Sequence, residues 1–304
     1  MSARVVVHGA ENFVGRRLLQ ALAASQWATP VAVRTADVRS LQSALADAVA
    51  VAHCVGGDAA SVERGATTLY GALASLSATP RVVHLSSMTV YGSVTGTVDE
   101  HSATPADLGP YAHAQRSAEA RAAQYRNRVI LRPGAEYGPD CSHWSGRIAR
   151  LLQARRLGDL GPAGDGYANL VFIDDLLAVF QYALRQPGIE SAVFNVALAE
   201  KPTWNDYLIA YGQALGAVPV QRIPARRLRV ETRLLAVPLK VTEIAVAKLA
   251  RTGVRPPLPI TRSMLQLFSQ EIVLDVARIE QAMGIRWTPL AEGLQRAAAS
   301  YRCG

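Results

Sequence analysis

Residues 5–19, VVVHGAENFVGRRLL, put Gly9 and Gly15 at the two ends of a turn between a β-branched run and a helical pattern. In such a turn the first glycine permits a tight reversal and the last lets the helix pack on the strand, while the middle place is where the backbone comes nearest a pyrophosphate. Here Asn12 holds the middle place. Asn is, after Gly, the residue most tolerant of left-handed backbone angles, so the turn survives with the side chain pointing away from the phosphates or bonding to them. Phe13 and Val14 complete the joint into the helix. Arg16 adds a cation to a helix N-terminus that already favours an anion. The chemistry this suggests is a cradle for a dinucleotide; the alternative is a helix-capping turn that holds no ligand. Arg34 closes the run VAVR at the place where a carboxylate would take a ribose 2′-hydroxyl, and a guanidinium there suits a 2′-phosphate. That points to NADP(H), with NAD(H) as the other possibility, and Asp37 is expected to face the adenine. An exposed arginine after a strand is the plain alternative for Arg34.

The elements that must position these residues are legible as short apolar runs: VVV at 5–7, VAV at 31–33, VAVAHCV at 49–55, RVVHLSS at 81–87 and RVILR at 128–132. Ala-rich helical stretches separate them, which is the alternation a parallel sheet needs when crossover helices cover both its faces. Val14, Leu18 and Leu22 recur at four-residue spacing and share one helix face. The fold class is therefore α/β, a Rossmann-type doubly wound parallel sheet. After Pro133 the pattern turns irregular, with GPAGDG at 161–166, and returns to the sheet through NLVFIDDLLAVF at 169–180 and AVFNVA at 192–197. We expect a nucleotide-binding domain over 1–165 with a return segment at about 169–197. A smaller, interleaved, mainly helical substrate domain follows over 198–304, with proline-broken links such as GVRPPLPI.

The chain has 304 residues, of which 50% are apolar and 18% charged, as in a soluble globular protein able to bury a sizeable core. No run approaches the roughly 18 apolar residues of a membrane span, and the first strand begins too early to leave room for a signal peptide, so a cytoplasmic location without membrane contact is expected. The net charge of +8 is spread out and lacks interleaved aromatic residues, which argues against nucleic acid. Its densest cluster, RIPARRLRVETR at 222–233, reads as a solvated face or as a site for an anionic ligand or partner. Cys54, Cys141 and Cys303 are odd in number and lack metal spacing, so reduced structural thiols and no metal are expected.

Taken with the glycine turn, SSMTVYG at 86–92, DEHSATP at 99–105, the Tyr111 helix, LRPGAEYGP at 131–139, FIDDL at 172–176 and IRWTPLAEGL at 285–294 resemble the extended short-chain dehydrogenase/reductase family. That family includes NAD(P)-dependent epimerases, dehydratases and ketoreductases, and the resemblance runs from residue 4 to about 300. It implies a Rossmann domain with a C-terminal substrate domain and a Ser/Tyr/Lys site beside the nicotinamide. On these positions Ser87 would hold the substrate oxygen, Tyr111 would transfer the proton and Pro133 would lie near the cofactor. The lysine position is Gln115. Two further departures matter. Fourteen residues separate Arg34 from Val49, where the family has a loop, a strand and a helix, so the third strand is expected to be shortened or missing, which bears on Asp37. Met88 and Thr89 stand where the dehydratases carry acids, which disfavours that activity. Many relatives dimerise through two helices of the nucleotide domain, and the Ala-rich helix over 111–125 is compatible with a homodimer.

Hydride transfer to a ketone builds negative charge on its oxygen, which needs donors and finally a proton. Lysine would lower the tyrosine pKa from its reference near 10 and grip the nicotinamide ribose. Gln115 lacks the charge, though one turn from Tyr111 it shares a face and can still bond to ribose. Oxidation needs a tyrosinate base, scarce without lysine, whereas reduction needs the neutral phenol. The reading that follows is an NADPH-dependent ketoreductase acting on a bulky small molecule, such as a polyketide-like secondary metabolite, with Ser87 polarising the carbonyl and Tyr111 as the acid. Water, a substrate hydroxyl or His113 are rival proton sources, and His113, two residues along the helix, should point elsewhere. The apolar segments LLAVPL and VTEIAVAKLA would suit a lid over a hydrophobic molecule, or ordinary helix packing. The alternatives are a nucleotide-sugar epimerase using bound NAD, and a non-catalytic NADP-binding sensor with a protein partner.

Overall fold

A computed structural model of the chain describes residues 2–35, 37–235, 238–239, 241–242 and 258–301. These form two compact units. The first comprises Met1–Glu136, Val171–Ala199 and Leu274–Thr288. Its strands β1 (Ala3–His8), β2 (Ala28–Val33), β3 (Ala50–His53) and β4 (Arg81–Leu85) precede a short β5 (Gly96–Val98), and β6 (Arg128–Pro133) follows. A pair of short strands, β7 (Ala135–Tyr137) and β8 (Leu170–Phe172), comes before β9 (Val193–Val196). Six of these strands make a sheet in the order β2-β1-β3-β4-β6-β9, parallel throughout. Val5, Val6, Val7, Val51, Val82 and Val83 are fully buried, as a sheet covered on both faces requires.

The crossovers are helices α1 (Phe13–Ala24), α2 (Val38–Leu45), α3 (Ala59–Ala74), α4 (Pro110–Ala123) and, after α5 (Ile148–Gln153) in the other unit, α6 (Ile173–Arg185). Val14, Leu18 and Leu22 are the buried face of α1, as their spacing predicts. Between β2 and β3 the described residues contain α2 and no strand, so the short link to Val49 costs the sheet an outer strand and leaves β2 on its edge. Beneath α2 and α3 lies a core of Val6, Val33, Leu41, Leu45, Val51, Leu69 and Val82.

Two polar systems run through this core. The register aligns His8 with His53 and His53 with His84, so three parallel strands carry a row of histidines, each at most 1% exposed, two residues beyond the core valines Val6, Val51 and Val82 and hence on the same face. His8 and His53 share a hydrogen bond between their Nδ1 atoms at 3.0 Å, which requires one ring to donate and the other to accept. His84 is joined through Nδ1 to the Tyr70 hydroxyl at 3.1 Å. The second system is the buried bidentate pair of Arg132 and Glu119, with bonds of 2.9 and 2.8 Å. Ser86 donates to Glu119 at 2.5 Å, Arg132 donates to the Tyr91 hydroxyl at 3.0 Å, and Tyr91 donates to Asn195 at 2.7 Å. These bonds tie α4, β6, the turn after β4 and β9 to one another.

The second unit comprises Tyr137–Leu170, Glu200–Val273 and Pro289–Gly304, so residues 137–165 group here rather than with the nucleotide domain to which their sequence assigned them. Its core is aromatic: Trp144, Trp204, Tyr207, Tyr211 and Phe268 lie in mutual ring contact. A capping box, with Thr203 and Asp206 each bonding the other's backbone, starts α7 (Trp204–Ala214). Arg156 pairs with Glu231 and Arg222 with Asp159. Residues 253–257 of the proline link, residues 243–250 of the apolar lid segment and Cys303 lie outside the described residues. Cys54 and Cys141 are buried free thiols. Among the described residues no helix is long and apolar enough to cross a membrane, and no cluster of His, Cys, Asp and Glu is arranged to hold a metal.

Candidate active site

The glycine turn is enforced by backbone contacts. Gly9 has φ +84°, and a Cβ there would stand 2.9 Å from the backbone of Cys54 and Val55 at the end of β3. A Cβ on Gly15 would stand 2.3 Å from the Gly9 carbonyl oxygen, so the helix can approach the turn only as glycine. Asn12 is tolerated for a different reason from the one its residue type suggests. Its φ of −77° is ordinary extended backbone, so no left-handed angle is asked of it. Its amide donates to the carbonyls of Gly9 at 3.3 Å and Cys54 at 3.4 Å, turning the side chain back onto the loop. The first turn of α1 carries no acid, Val14 is buried, Phe13 is half-buried and Arg16 is exposed.

Beyond β2, Arg34 is exposed. Glu11 lies nearby and accepts from the Thr35 backbone at 3.0 Å. Burial works against the Glu11 charge, but the Thr35 bonds and then the Arg34 guanidinium outweigh it and hold the carboxyl below its usual range. Asp37 serves as the N-cap of α2, accepting from Ser40 at 2.9 Å, which holds its carboxyl low. Its carboxylate is thus engaged by the helix that replaces the missing strand.

At the other end, Ser87 leaves β4 and accepts from the Thr89 N–H at 3.2 Å; among the described residues its own proton has no acceptor. The turn that follows packs against α4, which Gly109, at φ +100°, and Pro110 initiate. Tyr111 lies in its first turn, and Gln115, 2% exposed, donates Nε2 to the Tyr111 oxygen at 2.8 Å. The Gln115 Oε1 is buried without a partner among the described residues. Burial, and then the nearby Glu136 charge, push the Tyr111 phenol up to about 12, against the Gln115 bond, which lowers it. Leu85 stands opposite Leu131, and continuing that register brings Ser87 level with Pro133. Gly9, Arg34, Ser87 and Pro133 therefore lie at the carboxyl ends of parallel strands, where open α/β sheets bind ligands. His113 is exposed, as expected.

Three features were not singled out from the sequence. Glu136 sits within LRPGAEYGP, and burial lifts its carboxyl to about 7. Glu11 sits inside the glycine turn. The histidine row is written in VVVH, VAH and RVVHL, with a histidine at or next to the end of each strand. In the cluster at 222–233, Arg222 is spent on Asp159 at 2.7 Å and Arg227 on the Arg155 carbonyl at 3.0 Å.

The sequence model of the NAD dependent epimerase/dehydratase family matches residues 5–197, more than half of the chain. The chain belongs to this family. Its fold is shared with solved structures that include UDP-glucuronic acid 4-epimerase from Bacillus cereus in complex with UDP-glucuronic acid and NAD, at 18% identity and TM-score 0.72 over 98% of each chain. The human epimerase family protein SDR39U1 with NADPH is similar at 18% identity and TM-score 0.72, over 97% of this chain and 99% of that one. RMD from Pseudomonas aeruginosa complexed with NADPH is similar at 18% identity and TM-score 0.69 over 99% of each. No curated protein sequence matches the chain.

Proposed function

We propose that this family member binds NADP(H) and reduces a carbonyl of a small organic molecule to an alcohol. The residues fit a dinucleotide. Gly9 and Gly15 form a cradle that a Cβ would fill, the α1 N-terminus carries no competing acid, and the orphaned Gln115 Oε1 offers an acceptor to a ribose hydroxyl. Gly9, Asn12, Phe13, Val14, Gly15 and Arg16 would hold the pyrophosphate, Arg34 a 2′-phosphate, and Gln115 and Pro133 the nicotinamide end. The bound cofactor supplies the hydride.

The observation that carries the direction of the reaction is the bond from Gln115 into the Tyr111 oxygen. Because Gln115 donates, the phenol's own hydrogen is left to donate in turn, and burial keeps that phenol neutral. Ser87 has a proton to offer the same carbonyl oxygen. A neutral tyrosine beside a donor serine serves reduction; oxidation would need a tyrosinate that this site holds out of reach at neutral pH.

The test is NADPH consumption against a panel of ketones and aldehydes. Tyr111→Phe should lower kcat/KM by about 10²–10⁴. Full reduction by that variant would move the proton source to water or to a substrate hydroxyl, while NADPH binding with no carbonyl reduced would favour the sensor reading. The second reading, a nucleotide-sugar epimerase, is supported by the family of which the chain is a member; a tightly held NAD released on denaturing the purified protein would put it first.

A further inference from the structure

Arg34 follows the last residue of an edge strand. Among the described residues no strand lies outside β2, so the backbone on either side of Arg34 has to be held from within, by β1 and the turn that follows it. On one side, the Val33 carbonyl accepts from the Gly9 N–H at 2.9 Å and the Ala10 N–H at 3.3 Å. On the other, both polar atoms of the Thr35 backbone are held: its N–H donates to the Glu11 carboxylate at 3.0 Å, and its carbonyl meets the Nε2 of His8 at 3.3 Å. His8 is the last residue of β1 and is fully buried. A fourth valine would continue VVV and pack there as well; a ring nitrogen is needed only if something is bonded to it.

The proton positions follow from the partners. A carbonyl oxygen only accepts, so His8 donates from Nε2, and a neutral imidazole has one N–H, which leaves the His8 Nδ1 bare. The atom facing that nitrogen at 3.0 Å is the Nδ1 of His53, which must therefore carry the His53 proton. Burial of both rings favours the neutral forms that these bonds require. His53 lies between the His8 and His84 rings, with centroids 5.0 and 4.8 Å away, and this packing fixes its direction. His53 thus selects the tautomer with which His8 reaches the loop.

We propose that His8 is a positioning residue for the 2′-phosphate of NADP(H): through the Thr35 carbonyl it holds the backbone that carries Arg34, and His53 keeps it in the tautomer able to do so. The inference rests on the NADP(H) reading above. His8 acts from inside the sheet without touching the nucleotide, and it steadies the end of β2 where no outer strand does.

The first experiment uses the nucleotide-free wild-type chain. With ¹⁵N in the histidine rings, two-bond ¹H–¹⁵N spectra at pH 8 read the tautomer of each ring, assigned through its own backbone signals. We expect His8 to carry its proton on Nε2 and His53 on Nδ1. His8 protonated on Nδ1 alone overturns the proposal, since that ring has nothing to give the Thr35 carbonyl. The second experiment is calorimetric titration with NADPH and with NADH. A glutamine amide reaches about as far as Nε2 and an asparagine amide only about as far as Nδ1, so His8→Gln is the conservative variant. His8→Asn should weaken NADPH roughly five- to tenfold, the effect of one hydrogen bond, and NADH by less than about twofold, while His8→Gln should restore most of the preference. A His8→Asn variant that keeps the wild-type preference, or loses both nucleotides equally, overturns the positioning role. A wild type that prefers NADH or binds neither nucleotide overturns the NADP(H) reading and the 2′-phosphate role with it, while the tautomers show separately whether His8 holds the loop.

Discussion

The two ends of the candidate site are built by different means. The glycine turn is a matter of backbone geometry: Gly9 and Gly15 are fixed by what a Cβ would strike, and the one changed position, Asn12, uses ordinary angles and folds its amide back on the loop. The Tyr111 corner is a matter of functional groups: a phenol and an amide one turn apart on α4, with the Glu136 charge on β7 felt at the phenol. A backbone cradle tolerates substitution wherever no close approach is required. A site proposed to transfer a proton has no such slack, so a glutamine where the resemblance leads one to expect a lysine must be answered by another group or by a narrower chemistry.

The largest expected effect separates support from chemistry. Arg132 and Glu119 brace the Tyr111 helix from below without touching Tyr111 itself. Arg132→Ala leaves a buried carboxylate facing His84 and should destabilise the protein by about 3–5 kcal/mol, measured by denaturant unfolding. Replacing both partners with apolar residues of similar shape should cost far less. If Arg132→Ala proves neutral, the corner is not held by this pair and its positioning must be sought elsewhere.

The histidine row crosses the three middle strands β1, β3 and β4 of the sheet that carries the site, and acid tests what its burial is worth. Burial is the main cause holding all three pKa values down, His53 well below the ordinary value and His84 at about 4. The sign follows directly. The unfolded histidines take up protons first, at about 6.5, so the stability gained by burying neutral rings is intact above that pH and is lost as pH falls from there towards the folded values. For a single histidine such as His84 the loss should be on the order of 2 kcal/mol by pH 5. Unfolding free energies at pH 8, 6 and 5 should show the decline, and His84→Gln should flatten it. A flat profile over that range would mean the row is open to water.

A smaller effect sharpens the contrast within the turn. Gly15→Ala forces a Cβ onto a backbone carbonyl that cannot swing aside and should cost about 1–3 kcal/mol, whereas Asn12→Ala, which loses two long bonds, should cost under about 0.5 kcal/mol. Equal costs would show that the loop is held by the amide and not by close packing.

These differences explain what the residues alone could reveal. The sheet was legible because β-branched runs such as VVV and RVVHL are long enough to show their period, and the missing outer strand because fourteen residues between Arg34 and Val49 leave space only for α2. The glycine turn was legible because its parts are close in sequence. Asn12 was misjudged at the level of φ, since residue type gives a tolerance and not an angle. Glu136 went unseen because the burial that lifts its carboxyl is set by tertiary packing that no local pattern announces. The histidines were hidden by register: each is an ordinary residue near a strand end until β1, β3 and β4 are aligned.

The smallest expected effect concerns which nucleotide the backbone cradle takes. Arg34 is exposed beside the Glu11 carboxylate, so a 2′-phosphate would meet a guanidinium already partly answered by an acid. The two charges pull in opposite directions on the same ligand group. Arg34→Ala should weaken NADPH binding roughly tenfold, about 1.4 kcal/mol, with NADH affinity nearly unchanged, while Glu11→Gln should tighten NADPH several-fold by removing the competitor. Calorimetric titration of both variants with both nucleotides reads these shifts. If Arg34→Ala weakens NADH as much as NADPH, the arginine shapes the loop and does not read the phosphate. If Glu11→Gln shifts the preference towards NADH, the carboxylate is a partner of the ribose hydroxyl, and the cofactor assignment turns over to NAD(H).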